Sequence, residues 1–364
     1  MANNNDKKVL NVPALRFPEF TGEWENITIR EACSEFQSGK NIKAEMINDH
    51  GLYPVYGGNG LRGFTGSYNH DGDYILIGRQ GALCGNVRKV TGKTYVTEHA
   101  IAVCASKEHE TTFLQHLFQK MRLGQYSDQS AQPGLAVNKL LRLNINVPSK
   151  IEQGKIAKIL SLIDERITTQ NKIIEDLKKL KSAIRKRVFT SFKNGHTESC
   201  EINQLIAYEQ PTAYIVTNDE YSADKTLTPV LTANKGFILG YTDEDFGIYQ
   251  KGECIIFDDF TMDVKYVSFP FKVKSSAIKI LTAKPDVNLR FMFEYLSYLE
   301  LKSEEHKRHY ISEIAPLIIE LPSKEKQNRI AYLMTSLDNK LALEENTRAR
   351  YMNEKRYLLS QMFI

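Results

Sequence analysis

From Ile156 onward, apolar residues recur at alternating spacings of four and three: Ile156, Leu160, Ile163, Ile167, Ile174, Leu177, Ile184 and Val188, with Gln170 and Lys181 in the two remaining places. No glycine or proline interrupts the series. A sustained 3.5-residue period holds one stripe on one side of a helix, the mark of a coiled-coil seam. The same series returns near the other end as Ile330, Met334, Leu337, Leu341, Tyr351, Leu358 and Met362, with Glu344, Arg348 and Lys355 between. One such helix fits ordinary core packing equally well. Two matched copies in one chain predict helices that pair with each other. At about 38 residues and about 1.5 Å per residue each would run roughly 55 Å, a spacer between whatever it joins.

Elsewhere the pattern shortens. β-rich runs at 74–78, 95–97 and 100–103 precede a helical stretch at 113–121, and runs at 253–257, 264–273 and 277–281 precede another at 289–301. Both regions read as α+β.

The chain repeats itself. Val147-Pro148-Ser149-Lys150 returns as Leu321-Pro322-Ser323-Lys324, and the match runs on without a gap through Gln153/Gln327, Ile156/Ile330, Ala157/Ala331, Asp164/Asp338, Lys181/Lys355 and Phe189/Phe363. A period this long is no solenoid; it describes two copies of a domain-plus-helix unit. Upstream the copies match more loosely: Tyr53-Pro54-Val55 with Thr228-Pro229-Val230, the run from Gly72 with that from Gly252, and Ala100-Ile101 with Ala277-Ile278. Arg16-Phe17 with Phe20 resembles Val188-Phe189 with Phe192, so the first segment looks like the continuation of Met362-Phe363-Ile364. The expected organisation is circular, and a circular layout makes the helix pair antiparallel.

Composition narrows the class. At 364 residues with 42% hydrophobic and 25% charged positions, two packed domains are expected and disorder is excluded. The opening residues carry no apolar core of a secretory signal, and no apolar run reaches the length of a membrane span. Five scattered cysteines without a Cys-x-x-Cys pair read as reduced, mostly buried thiols of a cytoplasmic protein. The net charge of +4 is unevenly placed: residues 150–193 carry +7, whereas 194–323 carry −8. A plain basic-domain reading therefore fails for the second half.

Catalytic motifs are weak. Gly58-Asn59-Gly60-Leu61-Arg62-Gly63 has the spacing of a dinucleotide loop, but the turn-rich Phe64-Thr65-Gly66-Ser67 behind it starts no helix, and a flexible loop is expected. Thr91-Gly92-Lys93-Thr94 lacks the first glycine of a phosphate loop and reads as a hairpin turn. Asp258-Asp259 with Asp263 and Lys265 echoes a metal nuclease at a density of acids expected by chance, and His306 with His309 has no further ligand nearby. No catalytic residue and no metal site is assigned. What remains suits base reading, in which arginine pairs with guanine and glutamine or asparagine with adenine. The candidates are Tyr56, Asn59, Arg62, Arg79, Gln80, Arg88, Lys89 and His99 in the first domain, and Asn234, Lys235, Lys265, Lys272, Lys274, Lys307, Arg308 and His309 in the second.

Two variable domains, each followed by Pro-Ser-x-x-x-Gln-x-x-Ile-Ala and an aspartate seven residues on, resemble type I restriction–modification specificity subunits. The Tyr53-Pro-Val-Tyr-Gly-Gly-Asn-Gly60 loop, the Gly72-Asp-Tyr-Ile-Leu-Ile-Gly-Arg-Gln-Gly-Ala82 stretch and Tyr310-Ile311-Ser312 strengthen the resemblance, which spans Arg16 to Ile364. It implies an α+β fold of two target-recognition domains in a pseudo-twofold circular arrangement, separated by two long antiparallel coiled-coil helices. The boundaries expected are 1–146 and 194–320 for the domains, and 147–193 and 321–364 for the helices. The implied function is non-catalytic: sequence-specific binding of double-stranded DNA at an asymmetric bipartite target. Two methyltransferase subunits would dock on the chain, with restriction subunits attached through them. S-adenosylmethionine, ATP and Mg would then belong to those partners and none to this chain. The rival classes are a stand-alone nuclease or methyltransferase, and a coiled-coil scaffold that never touches DNA.

Overall fold

A computed structural model of the protein describes residues 11–127, 134–194, 197–232, 236–302 and 308–364, with backbone only at 193 and 194. The chain divides into two compact units, residues 1–171 with 346–364, and residues 172–345.

In the first unit four antiparallel strands stand in the order Cys33–Ser38, Ala100–Ala105, Asp73–Gly78, Val87–Thr91. Ile75 and Ile77 point to one face, where Phe113, Leu114, Leu117 and Phe118 of the helix Thr111–Met121 cover them. Leu76, Ala100 and Ala102 point to the other, against Val96 of a second sheet ordered Gly60–Thr65, Tyr53–Gly57, Tyr95–Val96. Burial on both faces is why residues 74–78 form an unbroken apolar run instead of alternating. A third pair, Glu25–Thr28 with Asn144–Val147, joins the segments by which the chain enters and leaves the domain.

The second unit repeats this topology: Ile206–Glu209, Ile278–Ala283, Cys254–Asp258, Val264–Val267; then Ile238–Thr242, Thr228–Leu231, Lys272–Val273; then Glu198–Glu201 with Ile318–Leu321. In each three-stranded sheet the last two strands run parallel. The ladders correct one pairing drawn from sequence. Gly78 faces Ala100 and Asp258 faces Ile278, so Ala100 corresponds to Ile278 and Ile101 to Lys279. A one-residue slip exchanges the two faces of a strand. The cause is Lys279 itself, a buried lysine at an isoleucine's core position, with Asp259 Oδ2 3.3 Å from its amine.

Two long helices, Lys150–Thr190 and Lys324–Gln361, follow the Pro148-Ser149 and Pro322-Ser323 steps. The buried Gln153 side chain donates to the Pro148 carbonyl (2.9 Å) and accepts the Glu110 N–H (3.0 Å). Gln327 does the same with the Pro322 carbonyl and the Asn288 N–H, both at 2.9 Å. Each glutamine thus ties its helix start to the domain helix beside it. Along the helices Ile156, Leu160, Ile163, Ile174, Ile330, Met334 and Met362 are buried, and Ile167, Leu177, Ile184, Val188, Leu337, Leu341, Tyr351 and Leu358 are half-buried. Inside the first unit Lys355 donates to both oxygens of Asp164 (2.7 and 2.8 Å). Inside the second, Lys181 donates to Asp338 (2.5 Å). In both units the helix segments run antiparallel, and each copy's aspartate meets the other copy's lysine.

The Leu15 N–H donates to the Gln361 carbonyl (2.9 Å), so the first segment does continue from the second helix. The aromatic that fills the core there is Trp24, packed on Phe113 and Phe363 as Phe192 packs on Phe291 and Phe189. Phe17 and Phe20, which resemble Phe189 and Phe192 in sequence, are half-buried beneath the Lys155 amine. Among the described residues no helix is long and apolar enough to cross a membrane. Of the five free cysteines only Cys254 is buried and the other four are half-buried, so the expectation of mostly buried thiols is corrected. Burial pushes the Cys33 and Cys254 thiols up to about 12, which leaves both as unreactive thiols.

Candidate nucleic-acid interface

The glycine-rich stretch of the first unit is a hairpin, not a flexible loop: Tyr53–Gly57 pairs with Gly60–Thr65, and Gly58-Asn59 makes the two-residue turn. Gly60 has φ +107°, and a Cβ there would lie 2.8 Å from the Arg88 guanidinium. The positive φ is what favours glycine at this turn, since the exposed guanidinium could shift aside. Likewise Thr91-Gly92-Lys93-Thr94 is no hairpin turn but a bend that carries the chain from one sheet to the other.

Beside the hairpin lies a groove of about 450 Å³ lined by Asn59, Arg62, Gln80 and His99 over the backbone of Gly57, Gly58 and Gly81. His99 Nδ1 is 3.0 Å from Gln80 Oε1, and its other ring nitrogen is 3.2 Å from Glu98. Arg62 is exposed and makes no ion pair among the described residues. Arg88, also exposed, lines the adjoining cleft with Asn86. The wall is polar and convergent, offering two amides, an imidazole and a guanidinium at one opening.

The remaining three first-domain candidates lie outside both the groove and the Arg88 cleft. Arg79 anchors a neighbouring segment: its carbonyl accepts the Leu135 N–H (2.9 Å) and its Nε reaches the Leu135 carbonyl (3.4 Å). Lys89 points to the helix side of the sheet, on Asp73 (2.9 Å) and Thr112 (3.0 Å). Tyr56 packs half-buried between the two sheets.

The second unit departs further. Asn234, Lys235 and Lys307, and His306 of the dismissed pair, lie outside the described residues. Lys265 is half-buried on its strand, and Lys274 and Arg308 are exposed. Lys272 and His309 are corrections, because both are buried inside the unit. Lys272 pairs with Glu244 (2.6 Å) and donates to the Phe246 carbonyl (2.7 Å), and the His309 N–H donates to Asp259. Asp259 also accepts the Tyr310 N–H (2.8 Å), and Asp258 caps a turn at Phe260 and Thr261. Asp258 and Asp259, two of the acids that echoed a nuclease, thus hold backbone. Among the described residues no group of three or more His, Cys, Asp or Glu is placed to hold a metal.

The Lys272 amine, then the Thr217 hydroxyl, holds the Glu244 carboxyl down to about 2. A depressed carboxyl stabilises the fold above its unfolded value, and that contribution disappears as pH falls through the folded value. The contribution of Glu244 should therefore be complete above about pH 4.5 and fade toward pH 2. In Lys272→Met this acid-sensitive component should shrink, read as a flatter pH dependence of the urea midpoint between pH 5 and pH 2.5. An identical pH profile for the variant would mean that the pair contributes nothing.

The model of the type I restriction modification DNA specificity domain matches this chain twice, at residues 21–179 and 198–350. The chain belongs to that family, with two copies of its domain. The specificity subunit of the Escherichia coli type I restriction enzyme EcoprrI is 42% identical over 165 residues, 44% of this chain and 40% of the relative. That of EcoR124I/EcoR124II, also from Escherichia coli, is 39% identical over 168 residues, 42% of this chain and 41% of the relative. The match thus spans about two fifths of the length of each of these two relatives. A crystal structure of a type I restriction-modification system S subunit from M. genitalium shares the fold, with a TM-score of 0.73 at 17% identity over 97% of this chain and 99% of that one.

Proposed function

We propose that this chain is the DNA-reading subunit of a type I restriction–modification complex and that each unit reads one part of a two-part target. The observation that carries the reading is the first unit's groove, where Asn59, Arg62, Gln80 and His99 converge without a catalytic acid, nucleophile or metal cluster among them. Amide and guanidinium groups of this kind match the major-groove edges of adenine and guanine. In the second unit the ladder puts Phe260 and Ala277 where the first has Gln80 and His99, so the two half-sites should differ. Methylation and cleavage are assigned to partner subunits, which bring S-adenosylmethionine, ATP and Mg. Leu162, Leu180, Tyr332 and Tyr357 expose apolar surface on the helices and are suited to docking a methyltransferase pair.

The test is binding of the full chain, with its methyltransferase partners, to duplexes carrying the methylated site of its host genome. Arg62→Ala should cost about 1–3 kcal/mol of discrimination, roughly 5- to 150-fold, while affinity for unrelated DNA changes little. Equal losses on target and unrelated DNA would remove Arg62 from base reading. Cleavage or methylation by the chain alone would support the enzyme alternative.

A further inference from the structure

The reading groove of the first unit is one end of a longer surface. Gly57 and Gly58 line both the groove and the Arg88 cleft; Asn86 joins that cleft to the loop of Leu83 and Cys84; and Arg122 joins the loop to a cleft of about 470 Å³ on the second long helix. This last cleft holds Lys120, Arg122, Lys355 and Arg356, and no carboxylate lines it. Two of the four cations are engaged, Lys355 with Asp164 and Lys120 with the Ile364 carbonyl. Arg122 and Arg356 are exposed and make no ion pair among the described residues. The support beneath Arg122 is rigid, since Gly85 packs so closely on Gly124 that a Cβ would fall 2.0 Å from its nitrogen.

The second unit supplies an internal control. Arg122 follows its domain helix in the left-handed conformation (φ 48°), and Glu300 follows the equivalent helix in the same conformation (φ 47°). The fold therefore accepts either charge at this turn, and arginine is not there to satisfy the backbone. By the helix repeat Arg356 corresponds to Ser182, whereas Arg88 keeps its charge as Lys265, which faces Ile256 as Arg88 faces Leu76. The near end of the track is common to both copies; at the far end the second unit replaces the two arginines with Glu300 and Ser182, and the cations it carries on the matching helix face, Lys178, Lys181 and Arg185, are paired with Glu345, Asp338 and Glu294.

We propose that Arg88, Arg122 and Arg356 form a phosphate track for the DNA backbone, leading from the reading groove of the first unit toward the second long helix. At the two arginine positions of its far end the second unit carries Glu300 and Ser182. The proposal deepens the DNA-reading assignment and rests on it. Each neutralised phosphate contributes about 0.9 to the slope of log K against log salt, with no dependence on base sequence. A track differs from a reading site in that respect.

The probe is a fluorescein-labelled random-sequence duplex of 30 base pairs, titrated with the full chain between 50 and 200 mM KCl. Arg122→Gln with Arg356→Gln should lower the slope by about 1.8 and weaken binding several-fold, while preference for target over random duplex is retained. Arg122→Lys with Arg356→Lys keeps the charge and should keep the slope, which separates lost charge from a disturbed fold. An unchanged slope in the glutamine variant overturns the track, and so does a slope lost equally in the lysine variant. Failure of the parent chain to prefer its target would overturn the reading assignment instead, and the slope comparison would still decide the track.

Discussion

Glu294→Ala is expected to destabilise the second unit by about 3–5 kcal/mol, the cost of stripping one partner from a buried charge cluster. Glu294 is fully buried on the domain helix, with Arg290 at 2.6 Å, Arg185 at 2.7 Å and Lys181 at 3.5 Å. Arg290 also reaches Asp338, the partner of Lys181. Without the glutamate, Arg290 and Lys181 are left on the half-exposed Asp338, and Arg185 loses the carboxylate it pairs with. In the first unit the same helix position is His116, whose imidazole is held down to about 4 by burial and then by the Lys355 charge. That ring is neutral near pH 7, so His116→Ala removes volume but strands no charge and should cost only about 2 kcal/mol. Trp24, the chain's single tryptophan, is buried in the first unit, so its fluorescence follows that unit while circular dichroism follows the whole. For Glu294→Ala the urea midpoint should fall by circular dichroism with little movement in the Trp24 signal. A fall in both would mean that the two units unfold as one, and no fall would mean that the arginines find water at no cost.

Exchanging residues 196–320 for the corresponding segment of another family member should change one half of the methylated target and leave the other unchanged. Each unit has its own pair of hydrophobic clusters: the first unit's sheets, domain helix and helix segments in one set, the second unit's in another. The exchanged segment enters and leaves through the paired strands Glu198–Glu201 and Ile318–Leu321, so the graft cuts at one closed ladder. Specific sites are bound about 10³- to 10⁷-fold more tightly than unrelated DNA, so losing one half-site should remove most of the affinity for the parental target. Mapping methylated bases in cells carrying the chimera reads both halves at once. Changes in both halves would refute separate reading.

Much of the fold was legible because periodicity and repetition are local in sequence. The seam needs only the spacing of Ile156 to Val188, and the second copy repeats it at a fixed offset. Lys181 and Lys355 break the apolar series and are identities of the repeat, as are Asp164 and Asp338. Their crossing, one copy's lysine on the other copy's aspartate, follows from the antiparallel layout and could have been drawn from it. Lys272, Lys279 and His309 were not legible. A cation on a short strand normally means surface, and what buries these three lies far off in the chain: Glu244 in a loop for Lys272, and the Asp259 turn for the other two. Arg122 and Arg356 were missed because they are 234 positions apart and meet only through folding. The signal available was the opposite charge at the matching turn, Arg122 against Glu300.

The aromatic contact of Trp24 and Phe113 with Phe363 also bears on how the protein is made. The second unit is one continuous stretch, residues 172–345, and has all its parts as soon as that stretch leaves the ribosome. The first unit, begun earlier, has to wait for residues 346–364, so the part of its core that Leu358, Met362 and Phe363 complete stays open while almost 200 further residues are added. Nascent chains grow at about 5–20 residues per second, which leaves that apolar surface open for roughly 10–40 seconds. Synthesis order and folding order are therefore reversed in this chain. The half translated first is the half that most needs shelter from aggregation, and a premature stop after residue 345 would yield a finished second unit tethered to a first that has no means of closing.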